Sequence, residues 1–141
     1  MMEKKILSDS ELNQVAGGVG GNVVATGSFT SSTGTQLNLL VNWMVQTDGY
    51  GQKTLYVDVN TTSYSLYSNG GGVELTVNGM VYTATAASVN YGGNSMVTNR
   101  LASFSIPGVS GAVSLSAVWH FNGSYSGVPI NDIRANSVIT V

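Results

Sequence analysis

No cysteine occurs among the 141 residues of this chain, and it has only two prolines. Without thiols there is no disulfide framework, no thiolate metal site and no cysteine nucleophile. A folded domain must then be held by its apolar core, which a chain of this length can supply. Charge is scarce as well: five basic and seven acidic residues leave a net charge of −2. That balance excludes the basic footprint of a protein that binds nucleic acid or an anionic membrane. No apolar run approaches the ~18 residues of a membrane-spanning helix, so no transmembrane segment is expected.

The few charges are unevenly placed. Glu3, Lys4, Lys5, Asp9 and Glu11 precede Gly18, whereas Asp48, Lys53, Asp58, Glu74, Arg100, Asp132 and Arg134 are spread over all that follows. A boundary is expected near residues 18–21. Within the charged segment, Ser8 and Glu11 stand at the spacing of a capping box. Leu7 and Leu12 flank that box at the spacing of a hydrophobic staple. Asp9 and Glu11 place negative charge in the first turn, where the helix dipole favours it. Gly17 and Gly18 end the run, since glycine is poor inside a helix and favoured just beyond it.

The spacing predicts a short helix over residues 9–16. Isolated helices below ~12–15 residues are marginal in water, so this one is expected to form on a partner. At about 100° per residue, Leu7, Glu11, Leu12 and Val15 share an arc of about 140° and can enter one groove together. The segment resembles the double-glycine leaders of bacteriocins, peptide pheromones and related exported bacterial polypeptides. The resemblance implies recognition of Leu7, Ser8, Glu11, Leu12 and Val15 by the papain-like peptidase domain of an ABC exporter. It also implies cleavage after Gly17 and Gly18, whose lack of side chains suits a narrow cleft. The chain would then divide into a leader, residues 1–18, and a cargo domain, residues 19–141. The precursor would be cytoplasmic and the product secreted. Lys4 and Lys5 are not followed by the ~7–15 apolar residues of a secretory signal peptide.

Beyond Gly21 the period changes to two. Leu37, Leu39, Val41, Trp43 and Val45 alternate with Asn38, Asn42 and Gln46. Similar alternation runs through Leu55, Val57 and Val59; through Val73, Leu75 and Val77; and through Val113, Leu115, Ala117, Trp119 and Phe121. Asn78 and Gly79 form a two-residue type I′ hairpin signal. Glycine-rich turns are expected at 48–51, 69–72, 91–94, 107–108 and 122–124. Strands are placed near 22–31, 36–47, 53–60, 63–68, 73–77, 80–91, 97–106, 111–121 and 132–141. The expected fold is all-β: an antiparallel β-sandwich, immunoglobulin-like or jelly-roll-like, of about eight or nine strands. Trp43 and Trp119, in phase with their strands, are expected to anchor its core. Tyr82 is out of phase with Val81 and could face outward.

Residues 117–137 contain Trp119-His120-Phe121, then Tyr125-Ser126-Gly127-Val128, an Ile130 to Ile133 step, and Ala135 opening a last strand. This succession resembles a module of tailed-phage structural proteins, where such β-sandwiches serve as spacers or adhesive elements. Its physical logic needs no chemistry: Trp119 and Phe121 finish an inward-facing strand, and Val128, Ile130 and Ile133 cover the open end of the core.

Candidates for chemistry are few. His120 is out of phase with Trp119 and Phe121, so it is expected on the opposite face. Asp58, Glu74 and Asp132 could pair with it or with each other, but they lie in different strands and loops. No ligand spacing suggests a metal or cofactor. Gly70-Gly71-Gly72 lacks the following Lys and helix of a phosphate cradle. The expected function is therefore non-enzymatic: an exported sandwich acting outside the cell by binding, or as a structural or adhesive element. The alternatives are a bacteriocin-like toxin or a secreted signalling protein. A small hydrolase is disfavoured by the shortage of acids, bases and nucleophile partners.

Overall fold

Alternating apolar residues become strands wherever one face can be buried. The computed structural model describes residues 22–32, 37–121, 123–125, 128–129 and 132–141. Twelve strands are seen among these: β1 (Asn22–Ser32), β2 (Asn38–Thr47), β3 (Lys53–Ser63), β4 (Leu66–Ser68), β5 (Gly72–Val77), β6 (Met80–Thr85), β7 (Val89–Tyr91), β8 (Val97–Pro107), β9 (Ala112–His120), β10 (Gly123–Tyr125), β11 (Val128–Pro129) and β12 (Ile133–Thr140). Residues 7–18, and with them the expected leader helix, lie outside the described residues.

The chain forms three antiparallel four-stranded sheets, ordered β1-β2-β3-β8, β12-β9-β5-β6 and β11-β10-β4-β7. The first two contain all the long strands. Their inward residues make one shared core: Leu39, Val41, Val45, Leu55, Val57 and Val59 from one sheet; Val73, Leu75, Leu115, Ala117, Trp119, Ile133 and Ala135 from the other. The third sheet is built of the four shortest strands, and its Leu66 and Val89 join the same core. The result is a sandwich-like all-β arrangement.

Trp119 is fully buried, as its phase requires. Its indole Nε1–H donates to the Gly70 carbonyl at 3.3 Å, and its ring meets the edge of Phe121 at 4.8 Å. Trp43 differs from the expected core anchor. It is only partly buried and packs against the core from its rim, across from Gly27 on the edge strand β1.

Asn78 and Gly79 take positive φ values of 49° and 88°, as a type I′ turn demands. This turn settles which face Tyr82 takes. A two-residue loop pairs Leu75 with Tyr82 and Thr76 with Val81. Directly opposed residues share a face, so Tyr82 follows Leu75 to the core side. Val81 is the residue turned to solvent, at 54% exposure.

The stretch expected as one strand over 80–91 is two strands in different sheets. The Ala86 N–H donates to Gly71 O at 2.8 Å, and the Ala87 N–H to Leu101 O at 3.0 Å. These bonds draw the chain out of the β6 ladder and into β7. No glycine or proline marks the change of sheet.

Candidate functional site

Two inward aromatic residues flank one outward position. Because Trp119 and Phe121 both pack toward the core, His120, the last residue of β9, stands on the outer face of its sheet. β9 lies between β5 and β12, and the register places Gly72 opposite His120 and Ile133 opposite Trp119. Glu74, two residues along β5 on the same face, reaches His120 diagonally. Asp132, just before β12, reaches it from the other side.

The imidazole is held at both nitrogens. Nε2 is 3.0 Å from Glu74 Oε2, and Nδ1 is 2.8 Å from Asp132 Oδ2. An ionised carboxylate only accepts, so satisfying both oxygens takes two N–H donors, which imidazolium alone supplies. The hydrogen bond to Glu74 and then that to Asp132 raise the His120 pKa above its ordinary 6.5; desolvation opposes them, and the negative charges of Asp132 and Glu74 add to them. The three side chains are each more than two-fifths exposed, so water screens the charges.

This geometry limits the chemistry. While it is protonated, a histidine donating from both nitrogens has no lone pair for general-base work or for a metal. Among the described residues, no group of three His, Asp or Glu side chains is arranged to hold a metal ion. The cluster links β5, β9 and the start of β12, and so brackets the long connection between Phe121 and Asp132.

Asp58, the third carboxylate considered, is not brought to His120. It lies on β3 in the other long sheet, 8% exposed. The Ser103 hydroxyl donates to its Oδ1 at 2.6 Å, and Arg100 Nη1 stands 3.8 Å from its Oδ2. Ser103 is its direct cross-strand partner.

The candidate leader residues Leu7, Ser8, Glu11, Leu12, Val15, Gly17 and Gly18 lie outside the described residues, as do Asn122, Ser126, Gly127, Ile130 and Asn131 of the phage-like segment. Of the apolar residues assigned to the open end of the core, Ile133 is buried at 2% exposure. No helix among the described residues is long and apolar enough to cross a membrane. Comparison with protein-family models, with curated proteins and with solved structures gives no match for the chain.

Proposed function

We propose that the chain is an export precursor. Residues 1–18 act as a double-glycine leader for a peptidase-bearing ABC exporter, and residues 19–141 are released as an antiparallel β-sandwich that works outside the cell by surface contact. The observation that carries this reading is the combination in residues 7–18 of capping box, staple, apolar Leu12 and Val15, and the terminal Gly17-Gly18. An ordinary amphipathic helix needs no paired glycines at that point; a peptidase with a narrow cleft does.

The released domain acts as a binding, structural or adhesive element rather than an enzyme. Support comes from the chemistry of its one histidine, whose two ring nitrogens are both engaged by carboxylates. The adhesive reading also fits the phage-module resemblance of residues 117–137. An immunoglobulin-like or jelly-roll-like sandwich presents broad Ser-, Thr- and Asn-rich sheet faces, suited to contact over an area rather than to a deep pocket.

The test is incubation of the full chain with the peptidase domain of an exporter encoded beside it. The expected result is a single cut after Gly18 that slows strongly in Leu12→Ala and Val15→Ala. Cleavage elsewhere, or cleavage indifferent to both substitutions, overturns the proposal.

A further inference from the structure

The two long sheets have four edge strands, and an edge strand is a template for another chain unless something blunts it. Three are blunted. β8 carries Arg100 and Pro107, and its register with β3 shifts at Val59/Asn60. β12 carries Arg134 and lies against β1 and β2. β1 has a register irregularity between Val23 and Ala25 and lies against β12.

β6 carries no charge, no proline and no register shift, although β8 lies against it. Its sequence, Met80-Val81-Tyr82-Thr83-Ala84-Thr85, contains no charge, no proline and no glycine. All six residues pair with β5 in unbroken register, and among the described residues β5 is its only hydrogen-bonded neighbour. Val, Tyr and Thr suit a pleated surface. Met80 and Val81 are 62% and 54% exposed. β8 approaches the strand, but the bond that ties this corner, Ala87 N–H to Leu101 O, lies beyond the strand's end.

We infer that β6 is a self-association edge, at which two copies of this chain pair antiparallel and join their β12-β9-β5-β6 sheets into one. The occupant is a second copy because the strand is neutral and self-complementary. Two copies related by a two-fold axis bring no like charges together. Cross-strand partners must share a face if the joined sheet is to keep one apolar side. The register that does so over most of the strand sets Thr83 against Thr83 of the second copy, Val81 against its Thr85 and Tyr82 against its Ala84. Thr–Thr and β-branched pairs are among the favourable cross-strand contacts. An isologous two-fold closes on itself and gives a dimer rather than a fibre. The inference concerns the folded domain and does not depend on cleavage after Gly18.

The chain has no cysteine, so Thr83→Cys introduces a single thiol that reports on this contact alone. In the full-length protein, sedimentation equilibrium is expected to give twice the monomer mass. Thr83→Lys sets like charges face to face and is expected to raise the dissociation constant roughly tenfold or more. Mild oxidation should link Thr83→Cys copies much faster than copies carrying Ser114→Cys, an exposed position on the central strand β9. Far-UV circular dichroism identical to wild type shows that each variant is folded. A protein that stays monomeric overturns the inference. So does a dimer that Thr83→Lys leaves intact and Thr83→Cys does not cross-link, because it is formed through another surface.

Discussion

Adding one methyl group to Gly27 sets backbone propensity against packing, and the two give opposite signs. Glycine within a strand costs roughly 0.5–1 kcal/mol relative to alanine, so propensity alone makes Gly27→Ala stabilising. The structure argues otherwise. A Cβ at Gly27 would stand 2.5 Å from Trp43 Cζ2, 2.7 Å from Cε2 and 2.8 Å from Nε1. Carbon atoms rest comfortably at about 3.5–4.0 Å, so the indole must withdraw by about 1 Å. Val57 lies beside it in the ladder and Phe104 beyond, both on the core side, so moving the ring disturbs its packing there. Overpacking of this kind costs about 1–3 kcal/mol. Subtracting the propensity gain leaves Gly27→Ala less stable by up to about 2.5 kcal/mol, with a central value of about 1 kcal/mol.

Urea unfolding of the full chain, followed by far-UV circular dichroism, measures this directly. Trp43→Leu supplies the control: with the ring gone, Gly27→Ala is expected to become neutral or stabilising. The double-mutant cycle should then return a coupling of about 1–3 kcal/mol between the two positions. If Gly27→Ala matches or exceeds the wild type in stability, or costs as much with Leu at position 43, Trp43 does not lie over Gly27 as described.

Two further outcomes follow from the core and from the histidine cluster. Leu75 is completely buried in the shared core. Leu75→Ala is expected to cost about 2–5 kcal/mol in urea unfolding, whereas exposed Val138→Ala should change stability by less than about 0.5 kcal/mol. His120 is the only histidine, so its ring protons give a single resolved NMR titration. Its midpoint is expected above 6.5 in the folded protein, falling toward 6.5 in Glu74→Gln and on unfolding in urea. Because the folded pKa is the raised one, the stability that protonation contributes is complete below the unfolded value. It is lost as pH rises through the folded value. The stability difference between wild type and His120→Gln should therefore be complete below the ordinary histidine value of 6.5 and shrink as pH rises through the raised folded value. A folded midpoint at or below 6.5 refutes the carboxylate clamp.

The long strands were readable because burying one face of a sheet imposes a period of two. β2, β3, β5, β9 and β12 show it plainly, and Asn78-Gly79 announces its hairpin by the positive φ that such a turn needs. The limits were equally physical. Ala86, Ala87 and Ser88 carry no breaker, so the passage from β6 into β7 is decided by long-range bonds to Gly71 and Leu101 that local pattern does not encode. The side Tyr82 takes was not readable, because adjacent apolar residues at 80–82 leave the phase ambiguous; only pairing with β5 resolves it. His120 could be sent to the outer face by its flanking aromatics. Its partners could not be chosen, because the pairing of β9 with β5, distant in sequence, and the position of Asp132 beside β9 are set by the sheet order and not by local pattern. Two of the three considered carboxylates, Glu74 and Asp132, reach it, while Asp58 is taken up by Ser103 and Arg100.

The central claim is that this β-domain leaves the cell as the product of cleavage after Gly18. The most direct measurement is the intact mass and N-terminal sequence of the protein recovered from the medium of the producing cells. The expected result is a chain beginning at Val19. Recovery of a chain that still begins at Met1, or confinement of the whole protein to the cells when the exporter is present, would contradict it.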